Sequence, residues 1–135
     1  MDVTNNLQVV KQPKVIVQAF VVEGEKTLLT KRLKHPFKDK LGFMSGKVAW
    51  GMSAGDTLIK ECVEEMGIVP VKYKLFAIRR CIDYDAITNE LIFDAIYYNF
   101  IVTEYKGEEV DSEESECVWV KFAEIGSINL GSCKA

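Results

Sequence analysis

The first patterned stretch, Val15-Ile-Val-Gln-Ala-Phe-Val-Val22, is rich in β-branched residues, and Glu23-Gly24-Glu25-Lys26 separates it from Thr27-Leu-Leu-Thr-Lys31. Branched and aromatic side chains suit a pleated surface and glycine suits the turn, so this stretch predicts a β-hairpin. His35-Pro36 and the polar residues 38–42 then form a loop leading into a short segment from Phe43 to Gly51. Beyond it the period changes. On a wheel of about 100° per residue, Leu58, Ile59, Cys62, Val63 and Met66 share one side, while Glu61, Glu64 and Glu65 fall within an arc of about 100° on the other. Ser53 suits an N-cap, Asp56 follows as in a capping box, and Gly67 with Pro70 closes the far end, which predicts a helix over 54–66. Residues 74–84 and 91–104 read as two long strands joined by a polar turn over 85–90, and Cys117 to Phe122 as a further short strand. Ala123-Glu124-Ile125 reads as the start of a helical turn, and the tail from Gly126 has no clear period. Strands before and after one capped helix predict a mixed sheet packed against helices, an α/β arrangement rather than an all-β barrel.

At 135 residues, with 48% hydrophobic and 27% charged positions, the chain reads as one globular domain over 1–135. No apolar run approaches the roughly 18 residues needed to span a bilayer, and Met1 to Val10 lacks the basic-then-apolar pattern of a secretory signal. The expectation is therefore a cytoplasmic protein with no membrane partner. Cys62, Cys81, Cys117 and Cys133 show no metal spacing and are expected to be mostly buried thiols, with a disulfide pair as the alternative. A net charge of −3 argues against a general nucleic-acid binder. The signs are nevertheless uneven. Lys31, Arg32, Lys34, Lys38, Lys40 and Lys47 precede the helix, and residues 104–116 are strongly acidic. This division suits a phosphorylated ligand and its metal, or simply two solvated loops.

Three glutamates on one helix do not by themselves demand a ligand, because like charges three or four positions apart cost only about 0.2 to 0.5 kcal/mol per pair. The segment upstream alters the picture. Gly46 and Gly51 bracket a stretch expected to turn sharply and to let backbone approach a metal or phosphate. A glycine loop feeding a carboxylate helix offers oxygen ligands, which suit Mg²⁺ or Mn²⁺; zinc would prefer His and Cys side chains that are poorly placed here.

The spacing Gly46, five residues, Met52, seven residues, then Lys60-Glu61-Cys62-Val63-Glu64-Glu65-Met66-Gly67-Ile68 resembles the signature of the Nudix hydrolase family. Leu28-Leu-Thr-Lys-Arg32 is similar to the strand before that signature, and Glu116-Cys-Val-Trp-Val120 with Ala123-Glu124-Ile125 to its late strand and helix start, so the likeness covers about 14–126. Met52 stands where the family has glutamate, and Lys60 where it has an arginine that orients the neighbouring glutamate.

The resemblance implies a Nudix-type α/β/α sandwich with a mixed sheet and a metal-dependent hydrolase acting on the pyrophosphate of a nucleoside diphosphate derivative. It makes Glu64 and Glu65 the preferred metal ligands, with Glu61 supporting them or binding a further metal and Gly46 adding a carbonyl. Glu113 or Glu114 would be the extra acidic ligand or base, and Lys60 would orient its neighbour. Lys47 and one of Arg79 and Arg80, which alternate on a strand, are candidates for phosphate contact. Trp50, Phe43 and Tyr84 are able to stack on a base, though core packing explains each as well. Tyr84, sixteen positions past Ile68, has a spacing similar to that of members acting on dinucleoside polyphosphates. His35 reads as a loop residue rather than a base. The family is often dimeric, which makes a homodimer possible and leaves the oligomeric state open. Met52 and Lys60 keep a rival reading open, a Nudix-fold binding or regulatory module without turnover.

Overall fold

The computed structural model describes residues 11–35 and 37–127. The hairpin forms as expected, from β1 (Lys14–Glu23) and β2 (Lys26–Arg32), with Gly24 at φ 59° in its turn. Only the last residues of β1, from Val21 to Glu23, pair with β2. Its earlier residues, from Ile16 to Ala19, pair instead with β4 (Met44–Lys47), which follows the two-residue β3 (Leu41–Gly42) on the edge of β2. The strand pair β1 and β2 therefore splays, and residues 41–47 run from one to the other across the opening. β5 (Val69–Tyr84) and β6 (Leu91–Lys106) form a long antiparallel hairpin, and β6 lies parallel to β1 from Lys14 opposite Ala95 to Val21 opposite Val102. β7 (Ser115–Lys121) pairs with β2, and a 3-10 turn (Phe122–Ser127) follows. The seven-stranded sheet is mixed, in the order β3-β2-β1-β6-β5 with β4 on β1 and β7 on β2.

One α-helix, α1 (Ala54–Met66), covers this sheet among the described residues. Ser53 Oγ accepts the Asp56 amide at 3.1 Å, a cap worth about 1 kcal/mol. At the other end Gly67 adopts φ 72°, its amide donates to the Val63 carbonyl at 3.1 Å and the Ile68 amide donates to the Cys62 carbonyl at 3.4 Å. Leu58, Cys62 and Met66 pack on Val17, Ala19, Val21, Leu28, Met44, Phe100 and Val102. Two apolar positions of the expected helix face differ. Ile59 is only half-buried and Val63 is 45% exposed, while Thr57 is fully buried. Thr57 is tolerated there because its hydroxyl donates to the Ser53 carbonyl at 2.8 Å.

β5 begins at Val69, five residues before the expected start, because the left-handed Gly67 turns the chain straight from α1 into the sheet. Pro70 is compatible with that strand since β5 lies at the edge, where a missing amide donor breaks no sheet bond on its open side. Cys62 and Cys117 are free thiols, as expected, whereas Cys81 is disulfide-bonded, which corrects the thiol expectation at that position; Cys133 lies outside the described residues. No helix among the described residues is long and apolar enough to cross a membrane.

Candidate active site

Gly46 lies within β4, opposite Val17 of the core, and so faces α1 rather than making a turn. A Cβ at this position would fall inside the side chain of Glu61. The glycine is thus a seat for Glu61, and the sharp turn expected of both glycines belongs only to Gly51, at φ 84°. Seated in this way, Glu61 leaves only 16% of its side chain exposed. Lys60 Nζ stands 3.9 Å from Glu61 and 3.4 Å from Glu64 Oε1, linking the two carboxylates through one cation. Both Lys60 and Glu64 are half-exposed, so their pair contributes about 0.3 to 0.5 kcal/mol and serves orientation more than stability.

Glu65, one turn beyond Glu61, points toward the start of β7. Its Oε2 accepts a long 3.5 Å hydrogen bond from Ser115 Oγ, and Ser115 is itself buried and in contact with Ser112 Oγ at 3.1 Å. Beside this contact opens a cavity of about 340 Å³, whose walls include Glu65, Glu114, Arg32, Lys40, Phe37 and Phe43. Backbone bonds bring these walls together. The Leu33 amide donates to the Glu114 carbonyl at 2.8 Å, and the loop between β2 and β3 closes on itself through Arg32 and Lys40 at 3.0 Å and Asp39 and Arg32 at 2.7 Å. Phe37 and Asp39 in that loop have positive φ values of 65° and 69°, a strained arrangement held by these bonds.

The wheel alone suggested that Glu61, Glu64 and Glu65 converge, and the structure corrects this. Glu61 turns to Gly46, Glu65 to Ser115 and Glu64 to solvent and Lys60. Among the described residues no three His, Cys, Asp or Glu side chains gather closely enough to hold an ion. The remaining donor set still suits a hard divalent cation. Burial, reinforced by the charges of Glu64 and Glu65 and opposed by Lys60, raises the Glu61 pKa above the ordinary 4.5. A cation beside Glu61 and Glu65 would relieve this penalty. Soft ligands are badly placed, since Cys62 is in the core with its thiol pushed up to about 12 by burial and by Glu61, and His35 is exposed in a loop.

The raised value has a definite sign for stability. A carboxyl whose folded pKa exceeds its unfolded one adds stability below the unfolded value and loses it as pH rises through the folded one. With chelator present, the thermal midpoint of the wild type is expected to decline as pH rises from about 4.5 through the folded pKa, and Glu61→Gln to flatten this decline. Parallel melting curves for the two proteins across that window would contradict the assignment.

The other expected site residues are dispersed. Arg80 makes two bonds to Asp94, at 2.6 and 2.8 Å, which hold the Asp94 carboxyl below its usual range. Arg79 is in register with Tyr97, and Lys47 is exposed opposite Ile16. None of these three lines the cavity, and of the two acidic loop candidates only Glu114 does. Trp50 is fully exposed and Tyr84 is 55% exposed, so core packing explains neither, while Phe43 stacks on Phe20 with ring centroids 4.0 Å apart. Phe37 and Ser115 carried no signal in the sequence. Arg32 and Lys40 stood out only as part of a basic run, and pairing of Lys31 with Leu41 brings them to one wall.

Residues 12–132 match the NUDIX domain family. The chain belongs to that family. No curated protein sequence matches it. Among solved structures, the MutT NUDIX hydrolase from Burkholderia pseudomallei is 25% identical, with 82% of this chain and 84% of that chain covered and a TM-score of 0.70. The MutT protein from Bacillus halodurans shares the fold at 23% identity and a TM-score of 0.76, covering 88% of this chain and 75% of that one. The NUDIX domain of Shewanella oneidensis NrtR, solved with ADP ribose, does so at 18% identity and a TM-score of 0.71, with 96% and 90% covered. The mixed sheet with α1 is thus a Nudix-type α/β fold.

Proposed function

We propose that this Nudix protein is a hydrolase that cleaves the pyrophosphate of a nucleoside diphosphate derivative with Mg²⁺ or Mn²⁺. The observation that carries this reading is the cavity lined by Arg32 and Lys40 together with Glu65 and Glu114, one turn of α1 from the seated Glu61. Its volume falls within the usual range for small-molecule sites, and cations and carboxylates in one wall suit an anionic substrate attacked by water. The ADP ribose complex of the NrtR domain supports the same ligand class for this fold.

In this mechanism Arg32 and Lys40 hold phosphate oxygens and fix the diphosphate across the cavity. A water oxygen forms a bond to one phosphorus, the bond from that phosphorus to the bridging oxygen breaks, and the Glu114 or Glu65 carboxylate takes the water proton. A bound divalent cation supplies charge neutralisation at the phosphate oxygens and a lowered pKa for the water. Glu61 and Glu65 would be its carboxylate ligands, and the Gly46 carbonyl is a further candidate oxygen. Glu64, turned to solvent and Lys60, would join them only by swinging inward, and Lys60 positions Glu61 and Glu64. Lys47, Arg79, Arg80 and Glu113 are weaker candidates, because none of them borders the cavity.

The rival reading, a nucleotide-binding or regulatory module, draws on Met52, a half-buried thioether just before the Ser53 cap where the family carries glutamate. Assaying the full chain against a panel of nucleotide derivatives with Mg²⁺ and Mn²⁺ separates the two readings. Metal-dependent release of phosphate or nucleoside monophosphate is expected, and binding without turnover would favour the module. Met52→Glu is expected to raise kcat several-fold by adding a hard oxygen donor, and an unchanged kcat would show that this position does not limit the reaction. We also propose a cytoplasmic single-domain protein over 1–135, without general nucleic-acid or membrane partners, that assembles as a homodimer. The exposure of Phe76, Ile78 and Ile92 on the β5–β6 hairpin, at 51%, 60% and 60%, supports the last of these.

A further inference from the structure

The acidic loop before β7 carries two neutral interruptions, in Asp111-Ser-Glu-Glu-Ser-Glu116. Serine readily bonds to nearby backbone, and Ser112 does so on both sides. Its amide donates to the Ser115 carbonyl at 2.9 Å, and its Oγ accepts the amides of Glu114 and Ser115 at 3.3 and 3.1 Å. Two further bonds hold the same loop. The Val110 amide donates to the Met66 carbonyl at the end of α1, and the Cys117 amide to Asp111 Oδ1, both at 2.9 Å. The path into β7 is therefore fixed without the Ser115 hydroxyl. Ser115 is nevertheless only 8% exposed, stands opposite Arg32 in the β2–β7 register and aims its hydroxyl at Glu65 on α1.

The direction of each proton follows from what a hydroxyl can do. It offers one proton and two acceptor positions. Both acceptor positions of Ser112 Oγ are taken by amides, so its proton goes to Ser115 Oγ, 3.1 Å away. Ser115 Oγ in turn directs its own proton to Glu65 Oε2 at 3.5 Å. The donors thus run one way, from two loop amides through two hydroxyls to a carboxylate, and bonds in such a chain strengthen one another. The same Ser112 Oγ holds the amide of Glu114, whose carbonyl accepts from the Leu33 amide at 2.8 Å. Glu65, Glu114, Ser115 and Arg32 all line the cavity. One pair of serines therefore reaches both of these carboxylate residues, Glu65 through its side chain and Glu114 through its backbone.

We propose that Ser115 is a positioning residue for the hydrolysis, its hydroxyl, directed by Ser112, holding the Glu65 carboxylate in one orientation at the cavity wall. The proposal rests on the hydrolase reading above and adds to it a residue that lies far outside the spacing from Gly46 to Ile68. A glutamate side chain turns about several bonds, and a carboxylate left free to turn meets its reaction partner in the productive orientation only part of the time. Partners that hold a working carboxylate in this way are commonly worth about 10- to 100-fold in metal affinity or activity.

The test compares Ser115→Thr with Ser115→Val in the full chain, since the two side chains have nearly the same shape, suit a strand and differ in the hydroxyl. Two quantities are read: kcat and KM with Mg²⁺ on a nucleotide derivative that the wild type turns over, and Mn²⁺ affinity from the loss of the free-ion electron spin resonance signal. Ser115→Val is expected to lower kcat about tenfold with KM changed less than about twofold, and to weaken Mn²⁺ binding about tenfold, while Ser115→Thr keeps most of both. In a Glu65→Gln background the step from Thr to Val at position 115 should cost little more. Equal kcat in the two variants overturns the proposal and leaves the hydrolase reading intact, and an equal loss in both backgrounds overturns it likewise. Ser115→Ala, the smallest change, supplies the same comparison against the wild type if the branched variants do not fold. Absence of wild-type turnover on every nucleotide derivative removes the hydrolase reading. The Mn²⁺ affinities then decide alone, and equal values for Thr and Val overturn the hold on Glu65.

Discussion

Gly46→Ala is expected to slow pyrophosphate hydrolysis by about 10²-fold without unfolding the chain, as read by initial rates and by a thermal melt of each protein. The methyl group would occupy the space of the Glu61 side chain, so the carboxylate must leave β4 and swing toward solvent. Displacing a reacting group by an ångström commonly costs a rate factor of that size. The fold should withstand the change, because Gly46 has no positive φ among its backbone angles and alanine reduces the freedom of the unfolded chain. A double-mutant cycle makes the expectation specific. In a Glu61→Ala background the added methyl meets no carboxylate, so Gly46→Ala should cost little more. Equal losses in both backgrounds would mean that Gly46 matters for another reason.

Glu65→Gln is expected to lower kcat by about 10²- to 10⁴-fold with a much smaller change in KM, since glutamine keeps the shape but neither carries charge nor accepts a proton as a base. The Ser115 hydroxyl can still donate to the amide oxygen, so the entry to β7 should stay in place. Glu114→Gln should behave similarly if the two carboxylates act together, and the double variant should then lose less than the product of the single losses. A Glu65→Gln enzyme retaining its full rate would exclude this side of α1 from the chemistry. A loss carried wholly by KM would assign Glu65 to binding alone.

Local chemistry was readable in the sequence wherever the cause was local. Ser53 and Gly67 announced the ends of α1 because caps depend on residues within one turn, and the β1–β2 hairpin announced itself through branched residues around Gly24. The Nudix-type spacing from Gly46 to Ile68 pointed to the family that residues 12–132 match. What the pattern could not convey was long-range. A wheel places Glu61, Glu64 and Glu65 on one arc but says nothing about the partner of each, and the partners come from β4, β7 and Lys60. The role of Gly46 likewise depends on how closely α1 approaches β4. Arg32 and Glu114 are far apart in the chain and meet only because β2 pairs with β7 and the loop after β2 bonds to the Glu114 carbonyl. Arg80 looked available for phosphate until the sheet placed Asp94 beside it. Asn99 carries no signal in the sequence, and only the finished sheet leaves its oxygen buried without a partner among the described residues.

The central claim is that Glu61 and Glu65 hold a hard divalent cation against a pyrophosphate. Titration of the full chain with Mn²⁺ in the presence of a non-hydrolysable nucleoside diphosphate analogue, followed by the loss of the free-ion electron spin resonance signal, tests it most directly. The account predicts saturable binding in the wild type that is strongly weakened in both Glu61→Gln and Glu65→Gln. Binding of equal affinity in the wild type and both variants, or no binding at all, would contradict it.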